Sequence, residues 1–177
     1  QYYLDCLSHS SYLIGDENAG TAVVVDPAFA VEQYLEEGDR RGVRIVRTIE
    51  THTHADHVSG HGRLALEHGV PVSIHPAAGA EYPYDAFEDG AEIEVGQVVL
   101  RCIHTPGHRP EHCAISVVDG SRAEEPWLVL TGDSLFVGDV ARPDLAVDAR
   151  EGAEDLFHSL RRLLELEDGV ETYPGHV

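Results

Sequence analysis

Four residues able to bind a metal ion fall within six positions, as His52, His54, Asp56 and His57 in the run THTHADH at 51–57. The stretch leading into them, IVRTIETH, has the apolar, β-branched character of a strand. Side chains two apart on a strand point the same way, so His52 and His54 can face one point. Residues 58–68 read as a helix, which puts Asp56 and His57 at the turn between the two elements. Such a corner can offer four ligands to one or two ions, which a merely polar loop has no reason to do at this spacing.

Three further ligand-type residues follow glycine at the ends of other β-type runs. His108 comes after RCIHTPG, Asp133 after WLVLTG and His176 after VETYPG. Glycine lets the chain turn sharply there and allows close approach to a site. Loops at strand ends are where rigid scaffolds place functional groups. The histidines are also clustered. Of the 12 in the chain, four lie between 52 and 61 and three between 104 and 112, a distribution that points to metal chemistry.

The elements that must position these residues are legible as short runs between turns. Segments 12–15 and 21–27 flank GDENAG, which reads as a hairpin loop. Further strands read at 43–52, 70–76, 92–105 (two, around Gly96), 112–119, 126–133 and 170–176. A short helix is predicted from Val31 to Gly38, and another over 58–68 closed by Gly69. The clearest helical period covers 152–167, where Leu156, Phe157, Leu160, Leu163 and Leu164 form an apolar stripe. Residues 81–90 read as a surface loop. Strands outnumber helices and helices interrupt both halves, which suits packed sheets with helices outside.

Composition narrows the function classes. The formal net charge is −20, from 12 basic residues against 32 acidic ones, which argues against a nucleic-acid partner. Every basic residue is arginine, so Schiff-base and P-loop lysine chemistry are excluded. No apolar stretch is long enough to span a membrane, and no basic stretch followed by an apolar run opens the chain. Cys6, Cys102 and Cys113 form no CxxC pair. Cys102 and Cys113 sit in apolar runs as small core residues. This usage fits a reduced compartment, and the expected location is cytoplasmic.

Taken together, HxHxDH (52–57), TPGH (105–108), TGD (131–133) and PGH (174–176) resemble the metallo-β-lactamase superfamily. The match covers nearly the whole chain in order, so residues 1–177 are read as one domain, although family members usually run on by at least one more helix. The resemblance implies an α+β fold, a four-layer αββα sandwich of two mixed β-sheets with helices outside. In two-metal members, the positions matching His52, His54 and His108 hold one ion and those matching Asp56, His57 and His176 the other, with that matching Asp133 bridging. THTHADHVSG (51–60) and TGDSLFVGDVARPDL (131–145) further resemble the persulfide dioxygenase branch, including members fused to rhodanese domains. There, one iron is held by the positions matching His52, His108 and Asp133, while His54, Asp56, His57 and His176 are retained. Two imidazoles and a carboxylate leave three open positions, the arrangement of non-haem iron oxygenases.

The resemblance therefore implies a dioxygenase with one Fe(2+) per chain, oxidising glutathione persulfide or a similar low-molecular-weight persulfide with O2 to sulfite and thiol. A rhodanese domain, fused or separate, and a second copy of the chain are compatible partners. The competing reading is a glyoxalase II-like hydrolase of thioesters or lactones with two Zn(2+), where zinc brings the pKa of its water to about 7. A third is a non-catalytic domain, against which the complete ligand set argues. Arg142, Tyr12 and Tyr173 are expected substrate contacts. The competing roles are an ion pair of Arg142 with Asp139 or Asp144, and core packing of the tyrosines. Arg109, beside His108, reads as solvent-facing, with substrate contact as the alternative, and His104 and His112 read as neighbours of the site. His9, His68, His75 and His158 read as surface or packing residues, and His61 as a neighbour of the cluster.

Overall fold

The alternation of apolar side chains along the central strands decides the layering. In β3 (Thr21–Val25), Val23 and Val25 enter one core while Val24 faces the opposite side. The same split recurs in β9 (Cys113–Asp119) and β10 (Leu128–Gly132). Ile115, Val117, Leu128 and Leu130 point into the core shared with β3, and Ala114 and Val129 point away. A strand buried on both faces needs a layer on each side. The computed structural model, which describes residues 1–176, shows those layers.

One sheet has the order β1 (Tyr2–Leu4), β2 (His9–Asp16), β3, β4 (Arg44–Ile49), β5 (Val72–Ile74) and β6 (Asp85–Ala86). The other runs β11 (Glu171–Pro174), β10, β9, β8 (Val98–His104) and β7 (Glu92–Val95). Both are mixed. The pairs from β3 to β6 and the pair β10–β11 are parallel, the rest antiparallel. Tyr34 of α1 (Glu32–Arg41) and Leu64 of α2 (His61–His68) cover the outer face of the first sheet. Leu163 of α3 (Ala149–Leu163) covers that of the second. The α+β sandwich expected from the motifs is the observed fold.

Two backbone contacts join the sheets at one edge. Ser10 N donates to Gly175 O at 2.7 Å, and Cys113 N donates to Thr51 O at 2.8 Å. The C-terminal ends of β3, β4, β8, β10 and β11 all reach this edge, because β8 and β10 run alike and β11 is parallel to β10.

Several boundaries differ from the sequence reading, among them the start of the second helix, which is His61 and not residue 58. The first helix passes through Gly38 and ends at Gly42, whose φ of 70° supplies the left-handed cap. Gly38 is instead a close-approach residue, since a Cβ there would lie 2.8 Å from Val43 O. The last helix starts earlier, after Asp148, whose side chain accepts from Arg150 N. Its stripe is narrower too: Leu156 and Leu163 are buried, but Phe157 and Leu164 are exposed. Within the segment read as loop, Asp85 and Ala86 form the edge strand β6.

Leu100, fully buried in the inter-sheet core, tests this layering against Leu66, which is 90% exposed on α2. Leu100→Ala is expected to destabilise by about 2–5 kcal/mol and Leu66→Ala by less than about 0.5 kcal/mol. The midpoints of urea unfolding measure both.

Candidate metal centre

The seven residues singled out in the sequence converge at the edge where the sheets meet, in two differently bonded groups. The first is His52, His108 and Asp133, all buried. His52 Nε2 and His108 Nε2 each lie 3.7 Å from Asp133 Oδ2. Divalent ions take nitrogen and carboxylate ligands at about 2.0–2.2 Å, so a contraction of several tenths of an ångström would close the three around one ion.

Hydrogen bonds fix which ring nitrogen each histidine presents. Thr51 Oγ1 donates to Asp26 Oδ2 at 2.7 Å and is left to accept from His52 Nδ1 at 2.9 Å. His108 Nδ1 faces the Arg142 carbonyl at 3.4 Å. Both Nε2 lone pairs are thereby turned toward Asp133. Burial lowers the pKa of each ring, that of His52 strongly, so both are neutral donors. Burial alone would raise Asp133. The hydrogen bond from His176 and the nearby imidazoles override it and hold the carboxyl below its ordinary value.

Asp133 is placed by His112. Its backbone N–H donates to His112 Nε2 at 3.0 Å, and His112 Nδ1 donates to Thr105 Oγ1 at 2.9 Å. Burial takes His112 down to about 4, which keeps the accepting nitrogen unprotonated. Gly132 makes this approach feasible. Its φ is 48°, and a Cβ there would lie 2.6 Å from His112 Nε2 and 2.9 Å from Thr51 Oγ1.

The second group is bonded to itself. His176 contacts Asp133 Oδ1 through Nδ1 at 2.7 Å and Asp56 Oδ2 through Nε2 at 2.9 Å. His57 Nδ1 lies 3.2 Å from Asp56 Oδ1. His54 Nε2 is 3.2 Å from Asp26 Oδ1 and 3.4 Å from Glu50 Oε2. Burial opposes charge on His54, but the two carboxylates dominate and raise its pKa well above the ordinary value. Both nitrogens of His54 and Nε2 of His57 are nonetheless buried without a hydrogen bond among the described residues. Orphaned nitrogens of this kind beside ionised carboxylates suit metal ligation. The donor set therefore fits a bound divalent ion.

Several contributors escaped the sequence reading. Three buried acids clamp the metal loop. Asp26 takes Thr51 N and Oγ1, Glu111 takes Thr53 N and Oγ1, and Glu50 takes Ser59 Oγ. The available signal was an acid directly after or inside an apolar run, as in VVVDP and RTIETH. His9, read as a surface or packing residue, is buried at the site. Its Nε2 lies 2.9 Å from Asp26 O and its ring centroid 4.2 Å from that of His57. His61 is a neighbour, with Nδ1 3.4 Å from Glu50 Oε1. His104 sits apart, stacked on His75 at 4.0 Å.

The three expected substrate contacts have their polar groups engaged elsewhere. The Tyr12 hydroxyl donates to Pro174 O and that of Tyr173 to Glu171. The two rings pack together and line a cleft of about 690 Å³ between the sheets. Arg142 is bonded through Nε and Nη2 to Asp144, leaving only its carbonyl toward His108.

This fold and site define a class. Residues 4–176 match the model of the metallo-beta-lactamase superfamily, and the chain belongs to that superfamily. Among relatives, persulfide dioxygenase ETHE1, mitochondrial, of Bos taurus is 31% identical over 169 residues, covering 94% of this chain and 63% of its own length. The cytoplasmic hydroxyacylglutathione hydrolase of Arabidopsis thaliana is 32% identical over 183 residues, covering 99% and 66%. The chain thus spans less than two thirds of either relative. Among solved structures, a metallo-beta-lactamase from Staphylococcus aureus superimposes with a TM-score of 0.95 at 33% identity, covering 99% of this chain and 54% of that one. ETHE1 from Myxococcus xanthus gives 0.88 at 31% identity, covering 100% and 74%. No helix among the described residues is long and apolar enough to cross a membrane.

Loss of the His112 brace is expected to loosen Asp133 without unfolding the chain. His112→Ala should lower metal affinity about 10–100-fold, read by competition with a chelating indicator, while circular dichroism stays native.

Proposed function

We propose that the chain is a mononuclear non-haem iron persulfide dioxygenase. One observation carries this reading. His52, His108 and Asp133 present three donors to one point, with both imidazole Nε2 atoms 3.7 Å from the same Asp133 oxygen. The similarity to two proteins named ETHE1 supports it, one of them named a persulfide dioxygenase.

In this reading His52, His108 and Asp133 hold the iron. Iron bound there would supply open positions at which a persulfide sulfur and O2 can react. The net change is RSSH, O2 and water giving RSH and sulfite. The chain's own residues set geometry and polarity. Thr51 and the Arg142 carbonyl fix the two imidazole orientations, and His112 fixes Asp133. His176 ties Asp133 to Asp56, so the carboxylate cannot swing away from the imidazoles. The three unpaired cysteines support a reducing compartment, and we place the enzyme in the cytoplasm, with a rhodanese domain as a candidate sulfur-supplying partner.

A second reading has its own support. His54, Asp56 and His57 also offer ligand atoms within 4.8 Å of one another, and the Arabidopsis relative is named a hydroxyacylglutathione hydrolase. On that reading the chain is a binuclear zinc hydrolase of thioesters or lactones.

An oxygen electrode separates the two. Iron-loaded protein given glutathione persulfide in air should consume O2 and form sulfite. Asp133→Ala should abolish this, because it removes the only carboxylate of the triad. Asp56→Ala should leave measurable turnover, lowered about 10–100-fold. Hydrolysis of S-lactoylglutathione under nitrogen, with no O2 uptake from persulfide, would replace the dioxygenase by the hydrolase.

A further inference from the structure

The loop from Thr105 to His112, which joins β8 to β9, carries the ligand His108 together with Glu111 and His112, which hold Thr53 and Asp133. Its two halves are fixed differently. The first leans on α3. Ser159 Oγ donates to Pro106 O at 2.6 Å, and a Cβ on Gly107 would lie 2.6 Å from Leu156. The second half turns through Pro110, which has no N–H to offer. Its carbonyl takes one hydrogen bond among the described residues, from His104 Nε2 at 2.8 Å.

That carbonyl lies in the peptide plane shared with Glu111, so fixing it fixes the direction in which Glu111 leaves the turn. Glu111 takes both donors of Thr53, the residue between His52 and His54. The next residue, His112, accepts from Asp133 N. One bond to Pro110 thus bears on the setting of all three ligands, His52, His108 and Asp133.

His104 is itself immobilised. Its backbone N donates to Asp89 Oδ1 at 2.8 Å and its carbonyl accepts from Arg162 Nη1 at 2.7 Å, while Arg162 Nη2 closes on Asp89. The ring lies flat on that of His75, with centroids 4.0 Å apart and planes 6° from parallel. His75 follows β5 and His104 ends β8, so the stack reaches from one sheet to the other. His75 is fixed in turn, because its Nδ1 accepts from Ala77 N at 3.2 Å. Neither imidazole belongs to a group of ligand atoms.

We propose that His104, its ring seated on His75, is a positioning residue of the metal centre. Through Pro110 it sets the Glu111 and His112 contacts that hold the metal loop and Asp133. The inference rests on the reading that His52, His108 and Asp133 hold the ion, and its test does not require turnover.

Cobalt(II), whose visible absorption reports ligand geometry, is titrated into metal-free protein against a chelating indicator. His104→Phe keeps an aromatic face for His75 but has no donor. It should lower cobalt affinity roughly 10–100-fold, the range for a lost support of metal ligands, and alter the absorption of the bound ion. The melting temperature of the metal-free protein should stay near that of wild type. His104→Gln, whose amide reaches about as far as Nε2, should restore both affinity and spectrum. If the phenylalanine variant is unstable, His104→Asn, too short to reach Pro110, takes its place with the same expected loss. Wild-type affinity and spectrum in His104→Phe or His104→Asn overturn the proposal. Equal loss in His104→Gln also overturns it, because the donated bond is then not what matters. Asp133→Ala tests the underlying reading separately. Cobalt binding that survives it unchanged sinks the triad, whereas loss there with wild-type binding in His104→Phe sinks only the role of His104.

Discussion

Carboxylates held out of water at one edge of the sandwich constrain everything around them. Asp26, Glu50, Glu111 and Asp133 are all buried there. A buried charge without a partner costs several kcal/mol, and removing one member of a buried pair is strongly destabilising. Each acid accordingly has dedicated donors, and those donors are the residues of the metal loop and its neighbours. Asp26 holds Thr51, Glu111 holds Thr53 and Arg109, Glu50 holds Ser59, and Asp133 is held by His176. The histidine run is therefore clamped on alternate residues from below. This leaves the imidazoles little freedom except in their approach to an ion, which is what a preorganised site requires.

The same pairing separates the two groups of ligands. In the first, neutral imidazoles face an ionised carboxylate with their lone pairs directed inward. In the second, His176 and His57 contact Asp56, while both nitrogens of His54 and Nε2 of His57 have no hydrogen-bond partner among the described residues. In the proposed mononuclear reading, the other four ligand-type residues act as the frame of the triad.

Much of the fold, and the seven ligand-type residues that meet at one edge of it, were legible in the sequence, for identifiable reasons. Strand alternation and the Gly69 cap are local signals, and the structure repeats them. The glycines before His108, Asp133 and His176 marked close approach, and Gly132 shows the contact that requires it. What stayed hidden depends on tertiary pairing. Nothing local distinguishes Glu111 from a solvated acid, and the apolar run before Glu50 does not reveal its partner, because the Ser59 hydroxyl that it accepts from lies beyond the histidine run. His9 precedes its contact with Asp26 by 17 residues, at the start of a strand whose own pattern reads as ordinary. Gly38 looked like a helix stop because close packing and chain termination call for the same residue.

His176 closes the site from far along the chain, 120 residues beyond the Asp56 it grips. The triad His52, His108 and Asp133 is complete before α3 begins, whereas His176 arrives only after α3 has crossed over and β11 has aligned beside β10. A chain emerging from the ribosome thus finishes its three-ligand seat well before it acquires the residue that bolts Asp133 in place. In the proposed reading, the residues that would seat an ion and the residue that ties Asp133 down therefore come from different stretches of polypeptide.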